Sequence, residues 1–294
     1  MRRLIALGLM LFAGPVLAAL DVVSTTASLG MLAREIGGPG VQVTVLAPPD
    51  RDAHMLQAKP SMMRALRDAD LVIALGAELE TGWLPAATAG AGNRTLLPGQ
   101  IGYFEAAAQV PLLDAGGVAD RAHGDVHPMG NPHLNLDPVR MARVGLALAE
   151  RLGKLDPAGL AGYRERARSF SAAVEARLPG WRARAAGAPG AVTYHKDGNY
   201  LFALLDVPVL GYVEPVPGVP PTASHLQALA GKLKGQRGVL LRHSYQSPRG
   251  AETLAQALGW KVHVVELEPA KNADASSYFA LIDQWVAALA SAKH

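Results

Sequence analysis

Five consecutive apolar residues, Leu71-Val72-Ile73-Ala74-Leu75, constrain this chain more than any other stretch. A strand with no polar alternation must be covered on both faces, as happens in a parallel sheet with helices above and below. The surroundings agree. Leu20 to Thr26 reads as a strand running into a polar loop, and Leu29 to Ile36 as a short helix. Val41 to Ala47 is a second strand, ended by Pro48-Pro49, and the loop Asp50-Arg51-Asp52-Ala53-His54 follows it. Ser61 to Asp70 is helical, with Met62, Ala65, Leu66 and Ala69 on one face. Strand and helix alternate, so the class is α/β with a parallel sheet. Asn93 to Leu97 is a candidate for one more strand.

The second half repeats the alternation. Ala191 to His195, Val207 to Val213, Gly238 to Leu241 and Lys261 to Val265 read as strands. Helical stretches lie near Thr222–Leu233 and Arg249–Leu258, and an amphipathic helix from Tyr278 to Leu289 closes the chain. Between the halves, Asp156-Pro157 is a helix start, and apolar residues recur from Leu160 to Leu178 until Pro179-Gly180 interrupts. A helix over residues 157–178 spans ~33 Å at ~1.5 Å per residue, enough to bridge two lobes. The expected organisation is an N-terminal lobe over 20–155, a linking helix within 156–186 and a C-terminal lobe over 187–294.

Residues 1–19 read as a secretory signal peptide. Arg2-Arg3 is the positive start, Leu4 to Phe12 the apolar core, and Val16-Leu17-Ala18 a small-residue cleavage site. Without the two arginines the formal charge falls from +3 to +1, poor support for nucleic-acid binding. The chain has no cysteine. An exported protein of this kind has no disulfide, no thiolate metal site and no acceptor for a lipid anchor. Its ligands are N and O atoms, and its expected place is a bacterial periplasm.

Ligands of open parallel sheets bind beyond the carboxyl ends of the strands. His195 ends one strand, His54 lies in the loop after another, and Glu266 and Glu268 follow the last. His133 sits in the Pro-bounded turn Asn131-Pro132-His133, just before a helix that starts at Asp137-Pro138. Three imidazoles and a carboxylate make a tetrahedral zinc set with bonds of about 2.0–2.2 Å. Because these ligands come from both halves, the ion belongs in the cleft between the lobes.

The chain resembles the zinc- and manganese-binding periplasmic subunits of ABC metal importers over nearly all its expected mature length. The matching pieces, in order, are Asp52-Ala53-His54 with Lys59-Pro60-Ser61, Asp70-Leu71-Val72-Ile73 with Leu79-Glu80 and Trp83-Leu84, and Asn131-Pro132-His133 with Leu136-Asp137-Pro138. Thr193-Tyr194-His195, Glu214-Pro215 with Pro217-Gly218, and Leu267-Glu268-Pro269 before Ser277-Tyr278 complete the match. The resemblance implies two α/β lobes joined by one long helix, a metal held between them, and delivery to an inner-membrane permease. By motif position it implies His54, His133 and His195 as ligands. The fourth family position, usually aspartate, falls on Glu268; Glu266, a nearby histidine or water are the alternatives. Histidine at the third position is similar to the zinc importers, whereas manganese members tend to have glutamate there. Imidazole suits Zn²⁺ and oxygen-rich sites suit Mn²⁺. Zinc members often carry a long His- and Asp-rich loop, in whose place stand His123, Asp125 and His127.

The leading expectation is therefore a monomeric periplasmic protein that captures Zn²⁺ for an ABC importer, with Mn²⁺ the lesser alternative and a periplasmic metallochaperone a candidate partner. It is not expected to be an enzyme. A zinc hydrolase with Glu268 or Glu266 as base lacks a His-Glu-x-x-His signature, and four protein ligands would close its metal. A binding protein for a small organic ligand, with incidental histidines, is the third reading. His225, His243 and His263 read as surface, packed or hydrogen-bonded residues, and Lys232, Lys234 and Arg237 as a solvated face.

Overall fold

A computed structural model describes residues 19–116, 127–216 and 218–293 of the chain. The segment read as a leader lies outside these residues except for Ala19, as do His123 and Asp125 of the expected accessory loop.

Two four-stranded parallel sheets form, with the same strand order. In the first, β1 (Leu20–Ser24) lies between β2 (Val41–Val45) and β3 (Leu71–Ala74), and β4 (Tyr103–Glu105) pairs with the far side of β3. In the second, β5 (Ala191–Thr193) lies between β6 (Val209–Tyr212) and β7 (Val239–Arg242), with β8 (Lys261–Val264) beyond β7. All four residues of β3 are buried, as its unbroken apolar run requires.

Helices cover both faces of each sheet. They are α1 (Ala27–Gly37), α2 (Pro60–Arg67), α3 (Leu84–Ala91), α4 (Pro138–Leu155), α5 (Leu160–Ala185), α6 (Asn199–Leu205), α7 (Ala223–Leu233), α8 (Pro248–Leu258) and α9 (Ala275–Ala290). Met62 and Leu66 of α2 pack with Ala87 of α3 in a cluster on one face of the first sheet. Leu226 and Leu229 of α7 and Leu254 of α8 do the same for the second. The remaining faces share one cluster. It runs from Leu32 and Ile36 of α1 through Leu148 of α4 and Phe170 of α5 to Ile282 and Trp285 of α9. Both lobes are thus built on a common apolar mass, with α5 through its middle. Among the described residues no helix is long and apolar enough to cross a membrane.

The linking helix differs from its expected limits at both ends. It starts at Leu160 rather than Pro157, because the Asp156 carboxylate accepts a hydrogen bond from the Tyr163 hydroxyl (2.7 Å) instead of capping residues 157–159. It continues past Pro179 to Ala185. Proline removes the N–H that would reach the Glu175 carbonyl, but Glu175 is exposed, so water can serve that group. The face beyond the proline buries Trp181 and Ala185, which favours continuation. The 26-residue helix spans ~39 Å.

Asn93–Leu97 is not a strand. The Asn93 side chain accepts from Thr95 N (3.2 Å) and donates to the carbonyls of Leu66, Arg67 and Ala69, holding a short 3-10 turn. The strand on that edge is β4, ten residues later.

Candidate metal centre

Each histidine of the expected set is aimed by its own local structure. His54 lies in a 3-10 turn, Ala53–Met55, after β2. One oxygen of Asp52 accepts from both His54 N (2.9 Å) and His54 Nδ1 (2.7 Å). Nδ1 therefore carries the hydrogen, and Nε2 is left for the cleft. The Trp83 indole donates to the Ala53 carbonyl (2.9 Å) and pins the turn to the lobe.

His133 is positioned by the Asn131-Pro132 turn. Its backbone N donates to Asn131 Oδ1 (2.9 Å), and Asn131 Nδ2 donates across to the Lys196 carbonyl (2.9 Å). Gly130 precedes the turn with φ +127°, and a Cβ there would lie 2.6 Å from Leu112 Cβ, so the turn fits closely only as glycine. Asp137 closes the segment by accepting from Val139 N and Arg140 N (2.9 Å each) at the start of α4.

His195 follows β5, at the place where strand order reverses between β6 and β7. Brought together, the rings of His54, His133 and His195 have centroid separations of 5.1, 5.9 and 5.0 Å. His127 joins from the edge of the loop region, with Nε2 3.1 Å from His54 Nε2.

A carboxylate that the strand-end reading did not single out, that of Asp197, stands at this cluster. Ligand atoms of His133, His195 and Asp197 all lie within 4.8 Å of one another. Asp197 Oδ1 is 2.6 Å from His195 Nε2 and 3.7 Å from His133 Nε2. Its other oxygen accepts from His243 Nε2 (2.7 Å). Glu268 instead crosses between the lobes to the first turn of α1. There it accepts from Ser28 N (2.6 Å) and Ser28 Oγ (3.1 Å), and from Asn135 Nδ2 (3.1 Å). Glu266 accepts from the exposed Ser244 hydroxyl (3.1 Å).

Electrostatics divides the cluster. Burial pushes His133 well below the ordinary imidazole range, which keeps it neutral and able to ligate. Burial acts the same way on His195, but the Asp197 carboxylate outweighs it and lifts His195 to about 9. Asp197 is held well below the carboxylate range: burial opposes ionisation, and His195 and His243 overcome it. Two buried atoms here, His133 Nε2 and Asp197 Oδ1, make no hydrogen bond, since the close approach of His195 to Oδ1 is poorly directed. Unpaired buried polar atoms are costly, and a nitrogen lone pair facing a carboxylate oxygen is relieved by a cation between them. The donor chemistry fits a divalent metal.

Two residues of this site escaped the sequence reading. Asp197 lies two positions beyond His195 at the end of β5, and His243 lies at the end of the adjacent β7. The strand-end rule that singles out His195 applies equally to them. Of the other histidines, His225 Nε2 lies 3.0 Å from the Tyr212 carbonyl, and the Ser291 hydroxyl lies 2.8 Å from His263 Nε2.

Two parallel sheets bridged by one long helix, with imidazoles gathered between their carboxyl ends, define a two-lobed solute-binding protein for metal. A family model, ZnuA, zinc-uptake complex component A, periplasmic, matches residues 22–292, and the chain belongs to that family. Its members are metal-binding transport proteins that work with ABC permeases, not enzymes. Solved structures share the fold. ZnuA itself superposes with a TM-score of 0.73 at 21% identity, over 92% of this chain and 99% of that one. A zinc-bound variant of AdcAII from Streptococcus pneumoniae gives 0.76 at 20%, over 93% and 98%. FpvC from Pseudomonas aeruginosa in complex with Mn²⁺ gives 0.75 at 22%, over 93% and 98%.

Proposed function

We propose that the protein captures Zn²⁺ between its lobes and delivers it to an ABC importer in the inner membrane. The observation that carries this is the convergence of His54, His133 and His195, from segments some 60 to 80 residues apart, to ring separations of 5.0 to 5.9 Å. Three imidazoles favour Zn²⁺ over Mn²⁺, whose usual ligands are oxygen. Glu268, the fourth ligand by family position, accepts hydrogen bonds from Ser28 N and Asn135 Nδ2. The protein acts as a monomer in the periplasm, after removal of residues 1–19, and a metallochaperone is a candidate supplier of metal.

The test is competitive titration with a chromophoric zinc chelator. Wild-type protein binds one Zn²⁺ and prefers it to Mn²⁺, and His54→Ala, His133→Ala and His195→Ala each bind it more weakly. Unchanged affinity in all three variants would remove the proposal.

A further inference from the structure

We infer that Asp197 is the fourth ligand of the cleft metal and that His243 is the residue that positions it. The inference rests on the metal-binding reading above. Two ligands bonded at ~2.0–2.1 Å to a tetrahedral ion lie about 3.3 Å apart. Asp197 Oδ1 stands 2.6 Å from His195 Nε2 and 3.7 Å from His133 Nε2. Both distances reach the coordinated value by shifts under about an ångström. No other carboxylate among the described residues joins these histidines within ligand distance.

The two oxygens of Asp197 have separate tasks. Oδ2 is tied down, while Oδ1 is buried, has no well-directed hydrogen bond and faces the cluster. The tie is His243, itself buried at 1% exposure. His243 spans two acceptors, with Nδ1 2.8 Å from the Val265 carbonyl and Nε2 2.7 Å from Asp197 Oδ2. The imidazole is thereby fixed between the end of β7 and the segment after β8, and it fixes the carboxylate in turn. Residues that orient metal ligands in this way commonly affect metal affinity by about 10–100-fold. In many zinc sites a carboxylate orients a ligating histidine. Here a histidine orients a ligating carboxylate.

Glu268 is spoken for. Its contacts with Ser28 and Asn135 link the C-terminal lobe to the start of α1, where a helix N-terminus favours a carboxylate. Its task is to clamp the lobes. The metal shell is then three imidazoles and Asp197.

The experiment replaces Zn²⁺ with Co²⁺ in the full chain and reads the visible d–d bands, which are strong for four-coordinate and weak for six-coordinate cobalt. Zinc affinity is measured alongside by chelator competition, and folding by circular dichroism and thermal melting. Asp197→Asn alters the cobalt spectrum and weakens zinc by about 100-fold or more, at or beyond the upper end of losses from orienting residues. His243→Leu also alters the spectrum and weakens zinc by about 10–100-fold. His243→Gln, which keeps a donor toward Asp197, recovers part of both. Glu268→Gln alters the spectrum and weakens zinc less than Asp197→Asn does, and lowers the melting temperature. A role for His243 in folding alone would lower melting without moving the spectrum, and would overturn its assignment. An unchanged spectrum in folded Asp197→Asn, with a changed one in Glu268→Gln, would overturn the inference while leaving metal binding intact. Wild-type protein that takes up neither cobalt nor zinc would overturn both readings.

Discussion

The two sheets have one strand order and two different fates at the point where that order reverses. In the N-terminal lobe the end of β1 and β3 is filled from within. Glu80, 4% exposed, accepts from the Thr25 hydroxyl (2.6 Å), Leu75 N (2.7 Å) and Gly76 N (3.1 Å). In the C-terminal lobe the equivalent end of β5 and β7 carries His195, Asp197 and His243, and leaves an Asp197 oxygen unsatisfied, facing the equally unsatisfied His133 Nε2 across the cleft. A reversal point in a parallel sheet is a place where backbone groups and side chains converge without being used up. One lobe spends that convergence on its own carboxylate and gains rigidity. The other keeps it for a guest.

The largest way to break this contrast is Glu80→Ala. It strands the Thr25 hydroxyl and the Leu75 and Gly76 amides, at about 1–3 kcal/mol for each buried group left unpaired. Thermal melting should fall by several degrees, while zinc affinity per folded molecule stays near wild type. Glu80→Gln is milder, since burial already pushes the Glu80 carboxyl toward its neutral form. A large loss of metal affinity in folded Glu80→Ala would show that the plugged end also serves the site.

Asp52→Asn tests the N-terminal contribution to the guest's side. It removes the charge that orients His54 through Nδ1, and zinc affinity should drop by about 10-fold, the low end for such partners. This is a smaller loss than for Asp197→Asn, because the His54 turn is half-open while Asp197 is enclosed.

The effect of pH sharpens the same contrast. His195 is raised to about 9 in the metal-free protein, against about 6.5 for a free imidazole. The stability it contributes is complete below about 6.5 and is lost as pH rises through 9. Burial raises Glu268 to about 7, partly offset by its Ser28 hydrogen bonds, so its contribution also fades as pH rises from about 4.3 through 7. Below about pH 6.5 the loss at Glu268 is opposed by His133, whose lowered value adds stability as pH rises, so the metal-free protein should melt at progressively lower temperature from about pH 6.5 to about 9. Zinc affinity should run the opposite way, since protons leave the ligands on binding. Calorimetric melts and titrations across that range check both slopes. The smallest expected effect is that of His127→Ala, a few-fold loss of zinc affinity read by chelator competition, because His127 meets the cluster from its outer edge, at His54.

The legible parts of the molecule were those with a strong local signal. The unbroken apolar run of β3 and the Val-rich β2 declared a parallel sheet, and the Asp137-Pro138 start of α4 was read from two residues. Elements without room for a period were not seen. β4 has three residues and α6 has seven. Asn93–Leu97 looked extended because its turn is held by side-chain bonds to residues more than 20 positions away. Pro179 looked like a terminator because the sequence does not say whether the carbonyl it deprives, that of Glu175, is open to water. In the site, His54, His133 and His195 were found from strand ends and motifs. Asp197 was missed because it lies within a turn after its strand, and His243 because its partner was Asp197.

The apolar mass shared by α1, α4, α5 and α9 has a consequence for how cargo leaves. Jaws need a seam that water can enter, and here the two halves meet through Phe170, Tyr278 and Phe279 stacked edge and face around α5. Opening along that line would wet aromatic surface on both sides. The cheaper exit is a latch: lifting the short His54 turn would break the Trp83 indole bond and the packing of Ala53 and Leu56, far less than parting the aromatic seam.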